Sequence, residues 1–223
     1  MKQPDAAPRA VVFDLDGTLL DSLPLVLAAI SHAIEPFGGR ATMDIFATLG
    51  GPPERFMPAL VKDLSQVPTA LRRMERYHAE NTHRIQPFAG VADLLDTLSA
   101  QGVKSAIWTG RDRKSAEELL AHHRLTGHFE TVVCGDDLPT HKPDPEGLRE
   151  IMRRLEVTAG EMLFVGDADV DVLGGVACGV DTILIRHQRV IEAHISARTW
   201  KLVLSPAEAY ALVLGRVRAA KLS

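Results

Sequence analysis

Short apolar runs alternate with segments of helical periodicity over most of the chain after residue 87. Ala10–Phe13 and Met162–Val165 are continuous apolar runs, which are typical of strands buried on both faces of a sheet. Between them, Gly90–Ala100 places apolar residues at positions i, i+3, i+4 and i+7, the spacing of an amphipathic helix. This alternation predicts an α/β fold, a doubly wound, Rossmann-like parallel sheet covered by helices on both faces.

The predicted strands are short and mostly apolar, and they comprise residues 10–13, 103–108, 131–134, 162–165, 182–185 and 201–204. The predicted helices of this part of the chain share an apolar stripe and comprise residues 90–100, 113–123, 145–155, 170–178 and 206–214. Gly102 follows the first of these helices, as a C-terminal glycine commonly does. The sheet is therefore predicted to contain six strands.

The segment from 21 to 86 interrupts this alternation. Its helical patterns cover residues 23–34, 43–49, 53–64 and 68–84, and no strand is predicted in it. We therefore expect residues 1–20 and 87–223 to form an α/β core domain and residues 21–86 to form a helical insertion domain.

Composition and charge narrow the function classes. The chain has 223 residues and a net charge of −4, without a basic block of the kind that binds a nucleic-acid backbone. No apolar run approaches the length of a membrane span, and the first nine residues lack the apolar core of a secretory signal. A cytoplasmic protein with no nucleic-acid or membrane partner is expected. The sequence leaves open whether it is a monomer or a homodimer.

Polar residues follow several of the predicted strands. Asp14 and Asp16 come after the first strand, Thr109 after residues 103–108 and Asp167 after residues 162–165, while Lys142 lies in the loop after 131–134. Ligands of open parallel sheets bind beyond the carboxyl ends of the strands, so these groups are expected to share one site. The alternative for Asp16 and Gly17 alone is an ordinary turn.

The carboxylates of this predicted site need a counter-charge. Two like charges ~4 Å apart repel by roughly 4 kcal/mol at an effective dielectric near 20, so Asp14, Asp16, Asp167 and Asp171 cannot converge without neutralisation. A hard divalent cation resolves this, and oxygen ligands favour Mg²⁺. A lysine and a threonine beside such an ion indicate an anionic substrate, most simply a small phosphorylated metabolite.

These groups suggest a two-step reaction. Asp14 is the expected nucleophile, which forms an aspartyl phosphate. Asp16 is the expected general acid for the leaving oxygen and later the general base for water. Thr109 and Lys142 are expected to hold the phosphoryl oxygens.

Four motifs in this order resemble those of the haloacid dehalogenase superfamily, in its phosphoglycolate phosphatase-like branch with a small helical cap. The family's Asp-x-Asp-Gly-Thr matches Asp14–Thr18, and its strand-end Ser or Thr matches Thr109. Its Lys-Pro-x-Pro matches Lys142–Pro145, and its Gly-Asp-x-x-x-Asp matches Gly166–Asp171. The match extends from about residue 10 to residue 186. The resemblance implies the same fold and a magnesium-dependent phosphatase. It also implies that residues 21–86 are a helical cap domain, whose closure is expected to exclude water from the site and to select the substrate.

The resemblance also implies a set of ligands. Mg²⁺ is expected on the Asp14 carboxylate, the Asp16 main-chain carbonyl and the Asp167 carboxylate, with Asp171 supporting the site from further out or through water. Asp169 is instead interpreted as an acid at a helix N-terminus.

Three further residues are expected to bind substrate. Thr18 and Gly110 belong to the matched motifs, and Arg55 lies in the predicted cap, where the alternative is a solvated arginine on a helix face.

Two positions depart from the family pattern. Ala168 has no hydroxyl where members often carry Ser or Thr. The second motif often continues with Asn, whereas Gly110-Arg111 follows Thr109 here.

Three other functions are alternatives to a phosphatase, and one of them is disfavoured by the sequence. A phosphomutase uses the same aspartyl phosphate but returns the phosphoryl group to a sugar, and it is the nearest alternative. A non-catalytic binding module is the alternative from another class. A dehalogenase is disfavoured, because that branch dispenses with the second aspartate and with magnesium, whereas Asp16 is present.

Overall fold

Ala10–Phe13 is the first strand of a six-stranded parallel sheet. The computed structural model describes residues 8–39, 41 and 53–219. Within them the strands are β1 (Ala10–Phe13), β2 (Leu20–Asp21), β3 (Gln86–Pro87), β4 (Lys104–Trp108), β5 (Thr131–Val133), β6 (Met162–Gly166), β7 (Asp181–Ile185) and β8 (Lys201–Val203). The large sheet has the order β5-β4-β1-β6-β7-β8, and all its pairs are parallel. The predicted α/β fold is confirmed.

The helices of the described residues are α1 (Leu23–Ile34), α2 (Pro53–Leu60), α3 (Val67–Asn81), α4 (Val91–Ala100), α5 (Arg113–His122), α6 (Glu146–Leu155), α7 (Asp169–Cys178), α8 (Ala193–Ser196) and α9 (Pro206–Ala219). Short 3₁₀ turns occupy Glu35–Phe37, Leu64–Gln66, Thr82–Arg84, Thr126–His128 and Ala159–Glu161. The helix predicted at 43–49 lies outside the described residues. None of the described helices combines the length and the apolarity that crossing a membrane requires.

The chain divides into two units, one containing the residues up to Leu19 and from Pro87 onward, the other Leu20–Gln86. In the first unit, the central strands β1 and β6 are buried along their whole length. Trp108 and Phe164 pack there with apolar residues of α6 in one core cluster. This core fixes the strand ends from which the candidate site is built.

The second unit has a small apolar core of its own. Its largest fully buried side chains include Ile30 and Ile34 from α1 and Met57 from α2, with Ala70 and Met74 contributed by α3. Helix α2 ends at Leu60, four residues before the end of the predicted helix, and α3 ends at Asn81, where a 3₁₀ turn follows. The strands β2 and β3, which pair with each other, were not predicted, because two residues are too few to show an alternating pattern.

The central sheet should dominate the stability of the first unit. Leu163 in β6 is fully buried, so Leu163→Ala is expected to lower the free energy of unfolding by about 2–5 kcal/mol through lost burial and the cavity left behind. Urea denaturation followed by circular dichroism measures this change. Val190→Ala is the control, because Val190 is 94% exposed and its truncation should change stability by less than ~0.5 kcal/mol. Equal unfolding midpoints for the two variants would contradict the assigned core.

Candidate active site

Two neighbouring strands bring aspartates to the same edge of the sheet. Asp14 follows β1 and Asp167 follows β6, and the register of these strands pairs Phe13 with Val165. The backbone N–H of Asp14 still donates to the Val165 carbonyl at 2.8 Å, so strand pairing continues to the aspartate itself. Asp171, in the first turn of α7, joins them. One carboxylate oxygen from each of Asp14, Asp167 and Asp171 lies within 4.8 Å of the other two, and we call this buried group the carboxylate cluster.

Lys142 brings a positive charge to the cluster. Its Nζ donates to Oδ1 of Asp14 and to Oδ1 of Asp171, at 2.7 Å in each case, and the ammonium lies 5.0 Å from the centroid of the Trp108 ring. Burial acts to lower the pKa of Lys142, but the carboxylates of Asp14 and Asp171 outweigh it and raise that pKa above its ordinary value. Lys142 is therefore charged.

With its three carboxylates ionised, the carboxylate cluster would carry more negative charge than the single ammonium of Lys142 offsets. Burial, the largest cause, raises the pKa of Asp14 to about 7 despite the opposing effect of Lys142. Burial and the neighbouring charges of Asp14 and Asp171 also raise the pKa of Asp167 well above its ordinary value. A divalent cation supplies the missing positive charge, and carboxylate oxygens are suitable ligands for it. The residues present therefore fit a divalent metal.

Asp171 and Asp169 have different surroundings although they are two residues apart. Asp171 accepts from Lys142 through one oxygen and from the Ala168 backbone N–H, at 2.9 Å, through the other. It thus anchors the start of α7 as well as Lys142. Asp169 is the first residue of α7, as predicted, and pairs instead with Arg189 at 2.5 Å. The direct or indirect role of Asp171 toward a metal stays a prediction.

Asp16 is held by a residue that the sequence analysis did not assign to the site. Arg111 Nε donates to Oδ2 of Asp16 at 2.9 Å, and Nη2 donates to Oδ1 at 2.5 Å. The Arg111 backbone N–H also donates to Oγ1 of Thr109 at 3.2 Å, so one residue contacts both Asp16 and Thr109. Burial opposes the charged form of Arg111, but Asp16 raises its pKa above the ordinary value.

The other predicted substrate-binding residues occupy different settings. Thr18 is fully buried, its carbonyl accepts from the Tyr210 hydroxyl, and its own hydroxyl has no hydrogen-bond partner among the described residues. Gly110 is exposed beside Thr109. The side chain of Arg55 lies outside the described residues, as do residues 42–52. Contact of these residues with a substrate stays a prediction.

Two residues of the loop after β7 also contact the site and were missed from the sequence. His187 Nε2 donates to the Gly17 carbonyl at 2.7 Å and lies 4.0 Å from Oδ2 of Asp167. Arg189 donates to the Asp167 carbonyl at 3.0 Å. Gly17 has φ = +78°, and a Cβ there would lie 2.6 Å from Cγ of Asp167, so the turn requires glycine. The strand-end argument that found Asp14 and Asp167 also applies to β7 and could have found this loop.

Removing the charge of Lys142 is expected to destabilise the protein, because the carboxylate cluster then lacks its positively charged partner. Lys142→Met leaves Asp14 and Asp171 without their buried partner, which is expected to lower the free energy of unfolding by about 3–5 kcal/mol when no divalent metal is added. Thermal unfolding with and without a divalent cation measures this, and the cation should recover part of the loss. Lys114→Met, at an exposed position, is the control. A variant as stable as that control would contradict the assigned charge balance.

Comparison with known proteins agrees with this geometry. The sequence model of the haloacid dehalogenase-like hydrolase family matches residues 11–185. A curated relative from Cupriavidus necator, named phosphoglycolate phosphatase, is 34% identical over 188 residues, which cover 80% of this chain and 80% of the relative. A relative from Halalkalibacterium halodurans, named pyrophosphatase PpaX, is 32% identical over 179 residues, which cover 79% and 83%.

A solved structure supports the fold independently. The haloacid dehalogenase-like family protein SP0104 from Streptococcus pneumoniae superposes with a TM-score of 0.77, covering 92% of this chain and 98% of that protein at 20% identity. At 20% identity this likeness supports only the fold. The family is shown by the sequence model, whose match spans more than half of the chain. The strand-end aspartates, the parallel sheet and the family match lead to the same conclusion: the chain belongs to the haloacid dehalogenase-like hydrolases.

Proposed function

We propose that this hydrolase is a magnesium-dependent phosphatase, which cleaves a small phosphomonoester through an aspartyl phosphate on Asp14. The observation that carries the proposal is the buried carboxylate cluster at the carboxyl edge of the sheet, with Lys142 bound to it. Such an edge is where ligands of open α/β sheets bind. A cluster that needs added positive charge and already holds a lysine suits a metal together with a phosphoryl group.

Asp14 is the proposed nucleophile. A carboxylate oxygen of Asp14 attacks phosphorus, the bond from phosphorus to the leaving oxygen breaks, and an acyl phosphate forms. Lys142, whose Nζ is 2.7 Å from Oδ1 of Asp14, is positioned to orient the nucleophile and to offset charge on the phosphoryl oxygens. Thr109, buried directly after β4, is the proposed hydroxyl donor to those oxygens.

Asp16 is the proposed acid and base. It gives a proton to the leaving oxygen in the first step, and in the second it takes a proton from the water that attacks the phosphoenzyme. Asp16 suits this exchange better than Asp14 does, because 28% of its side chain is exposed, against 11% for Asp14.

The carboxylates of Asp14 and Asp167 and the main-chain carbonyl of Asp16 are the proposed ligands of Mg²⁺, with Asp171 as a supporting carboxylate. When bound, the ion supplies positive charge that offsets the repulsion within the carboxylate cluster and the charge of the phosphoryl oxygens. The choice of magnesium rests on the oxygen-only donor set.

Hydrolysis is favoured over the phosphomutase alternative. The curated relatives from Cupriavidus necator and Halalkalibacterium halodurans, which align over about four-fifths of the chain, are named for a phosphatase and a pyrophosphatase, and both names describe hydrolysis. A relative's substrate is not carried over by the fold alone, because one fold hosts many functions. We therefore propose a small phosphomonoester, with phosphoglycolate as the first compound to test and pyrophosphate as a comparison.

The proposal predicts magnesium-dependent phosphate release that requires Asp14. A panel of phosphoglycolate, sugar phosphates, nucleoside monophosphates and pyrophosphate is incubated with the full chain, with magnesium or with EDTA. Asp14→Asn is expected to lower turnover at least about 1,000-fold, because an amide cannot act as the nucleophile. Acid-quenched wild-type enzyme should carry one phosphoryl group on the peptide that contains Asp14.

Asp136→Asn is the matched control for this experiment. Asp136 also lies just beyond the carboxyl end of a strand, β5, but it is exposed and is not part of the carboxylate cluster. Its substitution should leave turnover within about 3-fold of the wild type. Wild-type enzyme that releases no phosphate from any compound, or Asp14→Asn enzyme that is as active as the control, would overturn the proposal.

A further inference from the structure

Arg111 forms two hydrogen bonds with the carboxylate of Asp16. Its Nε and Nη2 each donate to a different oxygen of Asp16, which is the paired geometry of a guanidinium fork on a carboxylate. Only 9% of the Arg111 side chain is exposed. A two-point, largely buried contact restricts the rotation of a carboxylate far more than one hydrogen bond does.

The loop after β4 is built to hold Arg111 in this place. Its third nitrogen, Nη1, donates to the hydroxyl of Ser115 at 3.2 Å, and its backbone carbonyl accepts from the Gly135 N–H at 2.8 Å. A Cβ at Gly135 would lie 2.9 Å from the carbonyl carbon of Gly110, so the two loops approach closely. The side chain of Asp112 caps the first turn of α5 through the Ser115 N–H at 2.9 Å. These hydrogen bonds restrain both the guanidinium of Arg111 and the loop that carries it.

Pairing with a guanidinium fork does not by itself prevent a carboxylate from accepting a proton. A carboxylate has about four lone-pair positions, and a fork uses two of them. After the first proposed step Asp16 has given its proton to the leaving oxygen, and it is then a carboxylate of the kind that a guanidinium fork pairs with. Arg111 therefore suits the interval between the two steps of the proposed reaction.

We propose that Arg111 is a positioning residue, which holds the Asp16 carboxylate in place to take a proton from the attacking water. The inference rests on the proposed phosphatase function and deepens it. In the step concerned, the water oxygen bonds to phosphorus, the bond between phosphorus and the Asp14 oxygen breaks, and one water proton passes to Asp16. Orthophosphate and a free Asp14 carboxylate are the products.

The two steps can be separated with p-nitrophenyl phosphate. Nitrophenolate is a stable anion, so its release needs little help from an acid, whereas hydrolysis of the phosphoenzyme still needs the base. In Arg111→Met, stopped-flow measurement should show a nitrophenol burst within about 3-fold of the wild-type rate. Decay of the phosphoenzyme after a chase with unlabelled substrate should be slowed about 10–100-fold, as expected of a displaced catalytic group. The ratio kcat/KM should therefore change much less than kcat.

Arg113→Met is the matched control for that substitution. Arg113 begins α5, two residues further on, and forms the same two-point pair with Asp137, at 2.8 and 2.5 Å, but it does not contact Asp16. It should leave both rates within about 3-fold of the wild type. Arg111→Lys, which keeps the charge but not the fork, should give a phosphoenzyme decay rate between those of the wild type and Arg111→Met. It also preserves the test if Arg111→Met does not fold, which circular dichroism establishes.

A double-mutant cycle with Asp16→Asn completes the test. If Arg111 acts through Asp16, the double variant should lose phosphoenzyme no more slowly than Asp16→Asn alone. Additive losses, or equal losses in burst and decay rates for Arg111→Met, would overturn the inference and leave the proposed phosphatase standing. Wild-type enzyme that forms no phosphoenzyme would overturn the phosphatase proposal and this inference together.

Discussion

The ion pairs of Lys142 with Asp14 and Asp171 are the contact on which the candidate site depends. They join a loop, a strand end and a helix start through charges that are almost completely buried. Removing one partner from such a group typically costs about 3–5 kcal/mol, because the remaining charge stays buried without compensation. The apolar core takes part in this placement, since the rings of Trp108 and Phe164 lie 5.0 and 5.5 Å from the ammonium.

Glycines make room for that arrangement. A Cβ at Gly147 would lie 2.6 Å from Cε2 of the Trp108 indole, and one at Gly174 would lie 2.6 Å from its Cη2. The helices α6 and α7 can therefore approach the ring that underlies Lys142. Trp108 belongs to the apolar core, and its ring also contacts a charged group of the site. Packing and electrostatics are thus coupled at this position.

The strands and the strand-end aspartates could be predicted because both depend on local patterns. Apolar runs mark β1 and β6, and the polar residue after each run falls at the carboxyl edge. The partners of those aspartates could not be predicted in the same way. Arg111 and His187 are 95 and 170 residues from their partners, Asp16 and Gly17, so their contacts depend on strand order and loop path. Strand order and loop path leave no periodic pattern in the sequence. Arg111 stands out in the sequence only as a departure from a family motif.

Asp14 and Asp16 show how different surroundings separate the roles of two like residues. Asp14 faces an ammonium, which is a compact point charge, and two further carboxylates, so burial and repulsion raise its pKa. Asp16 faces a guanidinium fork, which contacts both of its oxygens and fixes its orientation. Pairs of titratable groups whose environments differ in this way commonly divide the work of catalysis. Both residues follow β1 at the same edge of the sheet, and each meets the site with a different partner.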